Sequence, residues 1–152
     1  MITEKSAGFI LISDIDSHNK ERSVLLLNYV SGHWDFPKGN IEVKETELQA
    51  ATRELKEETG IETFKLFPGF RYVLNYKYTR KSTLVSKQVT LFLASTRVTK
   101  VRISHEHIGY KWTDINDSVK QLTYSNAKRA LVYAMKFLKD LNLNTNYKIT
   151  DT

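Results

Sequence analysis

The most informative segment of the chain is Gly39-Asn-Ile-Glu-Val-Lys-Glu-Thr-Glu-Leu-Gln-Ala-Ala-Thr-Arg-Glu-Leu-Lys-Glu-Glu-Thr-Gly-Ile61. It predicts a helix over Thr46–Thr59, because Thr46 followed by Gln49 matches a capping box and Gly60 suits the left-handed position just after a helix end. Apolar residues recur at helical spacing and predict the buried face of this helix: Leu48, Ala51 and Leu55.

Three carboxylates lie on one face of the predicted helix. Glu54, Glu57 and Glu58 stand at i, i+3 and i+4, which brings their β-carbons to about 5–6 Å from one another. We expect these side chains to face solvent and a hard divalent cation such as Mg²⁺, which would relieve their mutual repulsion. Arg53 lies on another side, where it could pair with Glu45. The alternative is an ordinary solvated face with Glu and Lys selected for helix propensity.

Composition narrows the classes of site. The chain has 152 residues, no cysteine, and 23 Lys plus Arg against 17 Asp plus Glu, for a net charge of +6. Disulfides, thiolate nucleophiles and thiolate metal sites are excluded, so any metal must be held by carboxylate or imidazole. The positive charge suits a polyanionic partner such as nucleic acid, nucleotide or an acidic membrane surface, although solubility explains it equally well.

The remaining segments predict one α+β domain. Short apolar or alternating runs predict strands, polar runs predict loops, and one amphipathic stretch predicts a second long helix. The predicted strands are Gly8–Ser13, Ser23–Val30, Phe64–Tyr78 (broken at Pro68-Gly69), Val89–Val98 and Ile108–Trp112; the loops are Asp14–Arg22, His33–Gly39 and Thr79–Lys87; the helix is Ser125–Leu141. We therefore expect a single domain over 1–141 and a flexible tail over 142–152.

The sequence shows neither a typical signal peptide nor a membrane span. The apolar run Phe9–Ile12 is too short for the hydrophobic region of a signal peptide, and no stretch reaches the length of a membrane span. We expect a cytoplasmic protein, without a membrane partner and monomeric.

The Gly39–Ile61 segment matches, at every fixed position, the signature box of the Nudix hydrolases: Gly, five residues, Glu, seven residues, Arg-Glu, an aliphatic residue, one residue, Glu-Glu, one residue, Gly and an aliphatic residue. The resemblance implies an αβα sandwich around a mixed β-sheet, in which the box forms a loop–helix–loop. It also implies hydrolysis of a nucleoside diphosphate linked to another group, with Mg²⁺ as the cofactor and Mn²⁺ as a possible substitute.

The same resemblance implies roles for the box residues. Glu54, Glu57 and Glu58 correspond to metal ligands, with Glu54 also a candidate for orienting or deprotonating the attacking water. Arg53 and Glu45 correspond to a supporting pair. In some relatives a glutamate outside the box acts as the base, so the identity of the base stays open.

Pieces outside the box resemble one subfamily, the asymmetric bis(5′-nucleosyl)-tetraphosphate hydrolases of animal and archaeal type. The similar pieces are His33-Trp-Asp-Phe-Pro-Lys-Gly39, Asn75-Tyr76, the strand Gln88–Ala94 after Lys87, Ser104-His-Glu-His107, and Tyr124. By this resemblance Glu106 is a further metal carboxylate. Zinc bound by His105 and His107 is not expected, because no third soft ligand is near.

Residues of this kind also suit substrate binding on their own chemistry. Lysines can neutralise a polyphosphate, and tyrosines can stack on a base. The predicted substrate-binding residues are His33, Lys38, Tyr76, Lys81, Lys87 and Tyr124. Taken singly, the lysines could instead be solvated surface residues, the tyrosines half-buried core, and the histidine packed beside Trp34.

The resulting hypothesis is Mg²⁺-dependent hydrolysis of diadenosine tetraphosphate and related dinucleoside polyphosphates, by water attack on a phosphate, to ATP and AMP. The first alternative is a Nudix pyrophosphohydrolase acting on RNA 5′-triphosphate ends or on other nucleoside diphosphate derivatives. The second is a nucleotide-binding module without catalysis.

Overall fold

The computed structural model describes residues 1–14 and 22–145, with side chains up to 141. Within this part of the chain, eight strands and three helices follow one another. They are β1 Ile2–Ser13, β2 Ser23–Tyr29, β3 Trp34–Asp35, β4 Lys38–Asn40, α1 Glu47–Thr59, β5 Lys65–Leu66, β6 Tyr72–Arg80, β7 Thr83–Thr96, β8 His107–Asp114, α2 Ile115–Gln121 and α3 Ser125–Thr145. None of the described helices is long and apolar enough to cross a membrane.

The strands form one mixed sheet. β1 and β7 pair in parallel along their full length, from Ile2 opposite Val85 to Ser13 opposite Thr96. All other pairings are antiparallel: β2 lies beside β1, β3 and β8 lie beside β2, β4 lies beside β1, and β5 and β6 lie beside β7. The long pair β1–β7 therefore forms the centre of the sheet. β4 lies beside β1, and β6 lies beside β7 on the other side.

Helices cover both faces of this sheet. Side chains alternate along β1, so that Ile10 and Ile12 pack in the cluster beneath α3 while Phe9 and Leu11 pack in the cluster beneath α1. The predicted αβα sandwich around a mixed sheet is confirmed. The alternation also decides which residues of each strand face α1 and which face the α3 side, and the functional residues follow the same rule.

The ends of α1 follow the sequence prediction. The Gln49 N–H donates to Thr46 Oγ1 at 3.1 Å, and the Thr46 N–H donates to Gln49 Oε1 at 2.9 Å, which completes the capping box. Gly60 ends the helix with φ 79°. The predicted apolar stripe is confirmed at Ala51 and Leu55 but wrong at Leu48, which lies in the first turn and is 36% exposed; Ala50, which was not predicted, is buried.

Several local predictions differ from the structure. The predicted loop His33–Gly39 contains β3 and the start of β4, which are too short to show a period in the sequence and form by pairing with β2 and β1. The predicted loop Thr79–Lys87 is a hairpin that joins β6 to β7, and its turn residues Lys81 and Ser82 have φ values of 48° and 68°. Positive φ at both central residues is the geometry of a two-residue hairpin turn. β1 begins at Ile2, earlier than the predicted Gly8, and α2 was not predicted.

The structure tests only part of the predicted last helix, the predicted tail and the predicted loop after β1. α3 begins at Ser125 as predicted and continues to Thr145, four residues beyond the predicted end. The rest of the predicted tail, 146–152, and most of the predicted loop Asp14–Arg22, residues 15–21, lie outside the described residues. The division into one domain over 1–141 and a tail stays a prediction.

Candidate active site

The short strand β4 lies between the carboxylates of α1 and the residues on the α3 side of the sheet. Its residue Lys38 places its side chain on the α3 side of the sheet, and the next residue, Gly39, faces α1. The Lys38 N–H donates to Glu58 Oε1 at 3.0 Å. A β-carbon on Gly39 would overlap the Glu54 carboxylate, so glycine is needed for this carboxylate to lie against the strand. β4 thereby fixes two carboxylates of α1 on one face and an ammonium group on the other.

Arg53 is bonded to most of the carboxylates around it. Its Nε and Nη2 donate to both oxygens of Glu45, at 2.6 and 3.0 Å, so the pairing considered from the sequence is present. Its Nη1 donates to Glu54 Oε1 and to Glu57 Oε1, both at 2.8 Å. Its Nη2 also donates to the carbonyl of Asn40 at 2.9 Å. Arg53 therefore joins α1 to the loop before it and to β4, and its neighbours, Glu45 first, hold its pKa above the ordinary value.

The three carboxylates differ in exposure. Glu57 faces solvent, but the Glu58 side chain is only 3% exposed, so the expectation that all three face solvent is wrong for Glu58. The reason is that β4 and the loop before β8 cover this edge of α1. The pKa of Glu58 is raised to about 9, first by burial and then by the nearby carboxylates Glu54 and Glu106. Burial also raises the pKa of Glu54, against the effect of Arg53.

This donor set fits a hard divalent cation. Every candidate donor is a carboxylate, and the raised pKa values of Glu54 and Glu58 reflect a cost of burying like charges that a cation would remove. Among the described residues, no three carboxylate or imidazole groups already converge as a metal-binding group. Glu54 and Glu57 are both turned to Arg53, so they would have to rotate away from it to bind a metal together.

The loop before β8 supplies Glu106 and His107. Glu106 is exposed, and its backbone carbonyl accepts from the Val30 N–H at 3.0 Å, which ties the loop to the end of β2. His107, the first residue of β8, is buried. Its Nε2 lies 3.7 Å from Glu58 Oε2 and has no hydrogen-bond partner among the described residues. Its Nδ1 lies at hydrogen-bond distance, 3.1 Å, from Ser104 Oγ. The loop therefore brings a fourth carboxylate and a buried imidazole toward the α1 carboxylates.

A cleft of about 730 Å³ opens on the α3 side of the sheet. Tyr76 and Lys87 are paired across β6 and β7 and form its floor. His33, Lys38 and Tyr124 also line it. Five of the six predicted substrate-binding residues are thus brought together by the fold.

Lys81 is the exception. It lies at the turn between β6 and β7 and is not among the residues that line the cleft. The structure therefore does not bring Lys81 together with the other five residues. The reason is the hairpin itself, which carries the segment predicted as a cleft-side loop outward along the sheet edge.

Lys38 and Lys87, which both line the cleft, have different electrostatic surroundings. Burial alone would lower the pKa of Lys38, but Asp35, Tyr76 and Glu58 outweigh it, and the pKa of Lys38 lies above the ordinary value. Lys38 Nζ lies 3.7 Å from Asp35 Oδ2. Lys87 has its pKa lowered by burial first and by the Lys38 ammonium second. Lys38 and Lys87 are therefore neighbouring positive charges, and of these two only Lys38 has a carboxylate within ion-pair distance among the described residues.

Sequence reasoning missed Tyr29 and Asp35. The Tyr29 ring stacks on His33, with centroids 4.7 Å apart and planes 2° apart, and meets the edge of His107 at 4.4 Å. Its hydroxyl donates to the Phe36 carbonyl at 2.8 Å. A tyrosine at the end of the buried run of β2 was the available signal. Its partners come from other segments of the chain, which a linear pattern does not pair.

Further cleft residues come from the start of α3 and from β6: Asn126, Arg129, Asn75 and Lys77. The sequence offered no periodic signal for the α3 pair. His33 lies between the two aromatic neighbours Tyr29 and Tyr124, at centroid distances of 4.7 and 5.5 Å. Burial lowers the pKa of His33.

An αβα sandwich that carries a glutamate-rich helix beside a basic, aromatic cleft is the architecture of one family. The family model of the Nudix domain matches residues 6–135, and the chain belongs to the Nudix family. Members of this family in general depend on a divalent metal.

The chain is also similar to individual relatives and to solved structures within this family. The chain is 33% identical to the bis(5′-nucleosyl)-tetraphosphatase (asymmetrical) of Rattus norvegicus over 132 residues, which covers 84% of this chain and 87% of the relative. It is 35% identical to the protein of the same name from Sus scrofa over 134 residues, again covering 84% and 87%. The crystal structure of a C. elegans Ap4A hydrolase binary complex superposes with a TM-score of 0.75 at 29% identity, covering 90% of this chain and 98% of that one.

Proposed function

We propose that this Nudix protein hydrolyses dinucleoside polyphosphates, with diadenosine tetraphosphate as the representative substrate, to ATP and AMP. The observation that carries the proposal is the double role of β4. The backbone N–H of Lys38 fixes Glu58 beside the other carboxylates, while the side chain of the same residue lies in the basic cleft. A phosphate chain bound by the cleft would therefore run past the carboxylates. The names of the relatives from rat and pig support this substrate class.

The cleft residues suit the two chemical parts of such a substrate. Lys38 and Lys87 would neutralise the phosphates, whose charge must be offset before a water molecule can attack. Tyr76 and Tyr124 offer aromatic faces for a base, where stacking contributes about 1–3 kcal/mol per base. His33 is oriented by its stacking on Tyr29 and by the 2.6 Å contact of its Nδ1 with Ser31 Oγ, so its Nε2 would donate to a phosphate oxygen.

Glu54, Glu57, Glu58 and Glu106 would hold the divalent metal, for which we propose Mg²⁺, with Mn²⁺ as a substitute. When bound, the metal supplies charge neutralisation at the phosphate and lowers the pKa of a coordinated water. Arg53 bonds to Glu54 and Glu57 at 2.8 Å and would release them as they turn to the metal, while its bonds to Glu45 and to the Asn40 carbonyl hold it in place. Glu54 is the candidate to orient the attacking water and accept its proton.

In the proposed reaction, the water oxygen bonds to the phosphorus next to one nucleoside. The bond from that phosphorus to the bridging oxygen breaks, and ATP leaves with the bridging oxygen. The other product is AMP, which carries the oxygen of the water. Site residues on both faces of β4 are thus needed in one step: cations for the leaving phosphates and a carboxylate for the water.

Product analysis tests the proposal. We expect the protein to convert diadenosine tetraphosphate to equal amounts of ATP and AMP in the presence of Mg²⁺, with turnover lost on chelation and recovered on adding Mg²⁺ or Mn²⁺. Chromatography of the products provides the measurement. Two molecules of ADP, or no turnover with either metal, would contradict it.

Glu58→Gln provides the matched variant for this experiment. The glutamine oxygen can still accept from the Lys38 N–H, so the fold should be kept while a metal ligand and a buried charge are lost. We expect turnover to fall by about 10²-fold or more, the size seen when an electrostatic contributor is removed. Near-normal turnover would show that Glu58 is not a metal ligand.

The basic charge of the chain supports one second candidate, the 5′-triphosphate end of RNA. A binding module without catalysis is disfavoured, because clustered carboxylates would repel phosphate unless a metal is bound. The cytoplasmic location and the monomeric state stay predictions.

A further inference from the structure

An acidic residue, Glu4, lies beside Lys87 of the basic cleft without lining the cleft itself. Glu4 of β1 is directly opposite Lys87 of β7 in the parallel pair, and both side chains project from the face of the sheet on which α3 lies. Neighbouring strands are only about 4.8 Å apart, so the Glu4 carboxylate could reach the Lys87 ammonium. Such a pair would neutralise Lys87 and place a carboxylate where phosphate is expected to bind.

The structure holds the Glu4 carboxylate in another contact. Its Oε1 accepts from the Tyr78 hydroxyl at 2.8 Å, and its Oε2 accepts from Arg80 Nη2 at 2.5 Å. Arg80 also donates to the Tyr78 hydroxyl at 3.0 Å, and its guanidinium lies 5.7 Å from the centre of the Tyr78 ring. Both oxygens of Glu4 are therefore bonded to residues of β6, on the far side of β7.

Lys87 remains without an ion pair or a hydrogen bond from its side chain within residues 1–14 and 22–141. It lines the cleft between the Lys38 ammonium and the β6–β7 hairpin. The hydrogen bonds with Arg80 and Tyr78 keep the pKa of Glu4 below its ordinary value, so this carboxylate is charged at neutral pH and would attract Lys87 if released.

We propose that Arg80 and Tyr78 hold Glu4 away from Lys87, so that the Lys87 ammonium stays available for a phosphate group of the substrate. Arg80 is then a positioning residue, which acts through Glu4 without touching the substrate. The inference rests on the proposed function for the identity of the substrate. It also assigns a role to Arg80 of the β6–β7 hairpin, which does not line the cleft.

A double-mutant experiment tests the inference. We expect Arg80→Ala to raise KM for diadenosine tetraphosphate by about tenfold, the loss of one charged hydrogen bond, with kcat nearly unchanged, because Glu4 then pairs with Lys87. Adding Glu4→Gln to Arg80→Ala should restore KM to near the wild-type value, since no carboxylate remains to capture Lys87. Glu4→Gln alone should leave KM unchanged or lower.

Arg97→Ala is the matched control. It removes the same charge from the opposite end of β7, where Arg97 is exposed and pairs only loosely with Asp14 at 3.8 Å. A KM for Arg80→Ala equal to that of Arg97→Ala would overturn the inference. A raised KM that Glu4→Gln does not restore would also overturn it, because Arg80 would then act directly on the substrate or through the hairpin fold.

A measurement without turnover separates this inference from the proposed function. Calorimetric titration with inorganic tripolyphosphate should rank the variants in the same order, with Arg80→Ala weakest and the double variant restored. If the wild-type protein does not hydrolyse the dinucleotide, the proposed function fails and the titration still decides the inference. Thermal unfolding checks each variant, and Arg80→Gln replaces Arg80→Ala if the alanine variant does not fold.

Discussion

Two adjacent positions of β4, Lys38 and Gly39, differ in the side chain that the site needs. Lys38 projects a long side chain into the cleft, whereas Gly39 must have no side chain, because the Glu54 carboxylate occupies the space in which its β-carbon would lie. Strand alternation sends the two positions to opposite faces of the sheet. The Lys-Gly dipeptide is therefore the point at which the carboxylates of α1 and the phosphate cleft come within reach of the same substrate.

Gly39→Ala should lower activity without greatly lowering stability. Gly39 does not have positive φ, so alanine is compatible with the backbone, but its β-carbon would displace the Glu54 carboxylate. We expect kcat to fall by about 100-fold, the effect of misplacing a catalytic group by roughly an ångström. Mn²⁺ binding, followed by electron paramagnetic resonance, should weaken in parallel.

Gly109→Ala is the control for this prediction. Gly109 lies in β8, and the nearest atom to its added β-carbon would be 4.0 Å away, an ordinary contact. Its kcat should stay close to the wild-type value. Equal kcat for the two variants would mean that the contact between Gly39 and Glu54 has no role in catalysis.

The sequence could identify the carboxylates but not their surroundings. Helical spacing places Glu54, Glu57 and Glu58 on one face, and this follows from the chain alone. The burial of Glu58 depends on β4 and on the loop of His107, which are 20 and 49 residues away and contact it only in the folded chain. Tyr29 was missed for the same reason, since its neighbours come from three separate segments.

At the level of elements, the start of α1 is tied to the sheet by Glu47. Both of its carboxylate oxygens accept from Arg71, at 2.9 and 2.8 Å, and the Thr90 hydroxyl donates to Oε2 at 2.8 Å. Thr90 lies in β7, and Arg71 directly precedes β6. The helix that carries the candidate metal ligands is thus anchored at both ends, here by an ionic contact and at Gly60 by the left-handed turn.

Glu47→Gln should destabilise the fold at neutral pH and not in acid. Hydrogen bonding to Arg71 lowers the pKa of Glu47 most strongly, against the effect of burial. A carboxyl group with a lowered pKa contributes stability above its unfolded pKa, here about 4.5, and loses it as the pH falls through the folded value. We expect a loss of about 1 kcal/mol in the free energy of unfolding at pH 7, measured by urea denaturation, because the pair is partly exposed.

In the same measurement, the difference between Glu47→Gln and the wild type should shrink as the pH falls below about 4.5, because the carboxyl group becomes protonated first in the unfolded state and then in the folded state. Glu62→Gln is the matched control. Its pair with Lys56, at 3.1 Å, is exposed on both sides, so its removal should change the unfolding free energy very little at neutral pH or in acid. A pH-independent loss for Glu47→Gln would show that the carboxylate charge is not what stabilises this contact.

The elements that sequence reasoning missed share one property: they are polar on at least one side. β6 was predicted as far as Tyr78, but the hairpin that joins it to β7 was not, because its turn residues, Lys81 and Ser82, lack the Asn-Gly signal of a tight hairpin. The first half of β1 is polar and exposed. α2 has only seven residues and begins directly after β8, capped by Asp114. In each case pairing or packing with distant residues decides the structure.

For the whole molecule, the net charge of +6 is distributed unevenly. Acidic residues gather on α1 and in the loop that precedes it, whereas several lysines and arginines line the cleft or lie in the β6–β7 hairpin. The cleft volume of about 730 Å³ lies within the range of small-molecule sites, roughly 300–1,000 Å³. It suits one nucleotide and a short phosphate chain better than an extended polynucleotide.

This charge distribution predicts how the two candidate substrates will differ. We expect kcat/KM to be higher for diadenosine tetraphosphate than for an RNA with a 5′-triphosphate, and lengthening the RNA should not lower its KM, because the cleft accommodates only the first nucleotide. Measuring KM at several salt concentrations tests this, since each phosphate contact to a single strand contributes about 0.7 to the logarithmic slope. The same RNA with a 5′-hydroxyl is the control for binding along the chain. A KM that falls as the RNA lengthens, with a salt slope that steepens in parallel, would mean that the basic hairpin binds polynucleotide and that the RNA end is the better substrate.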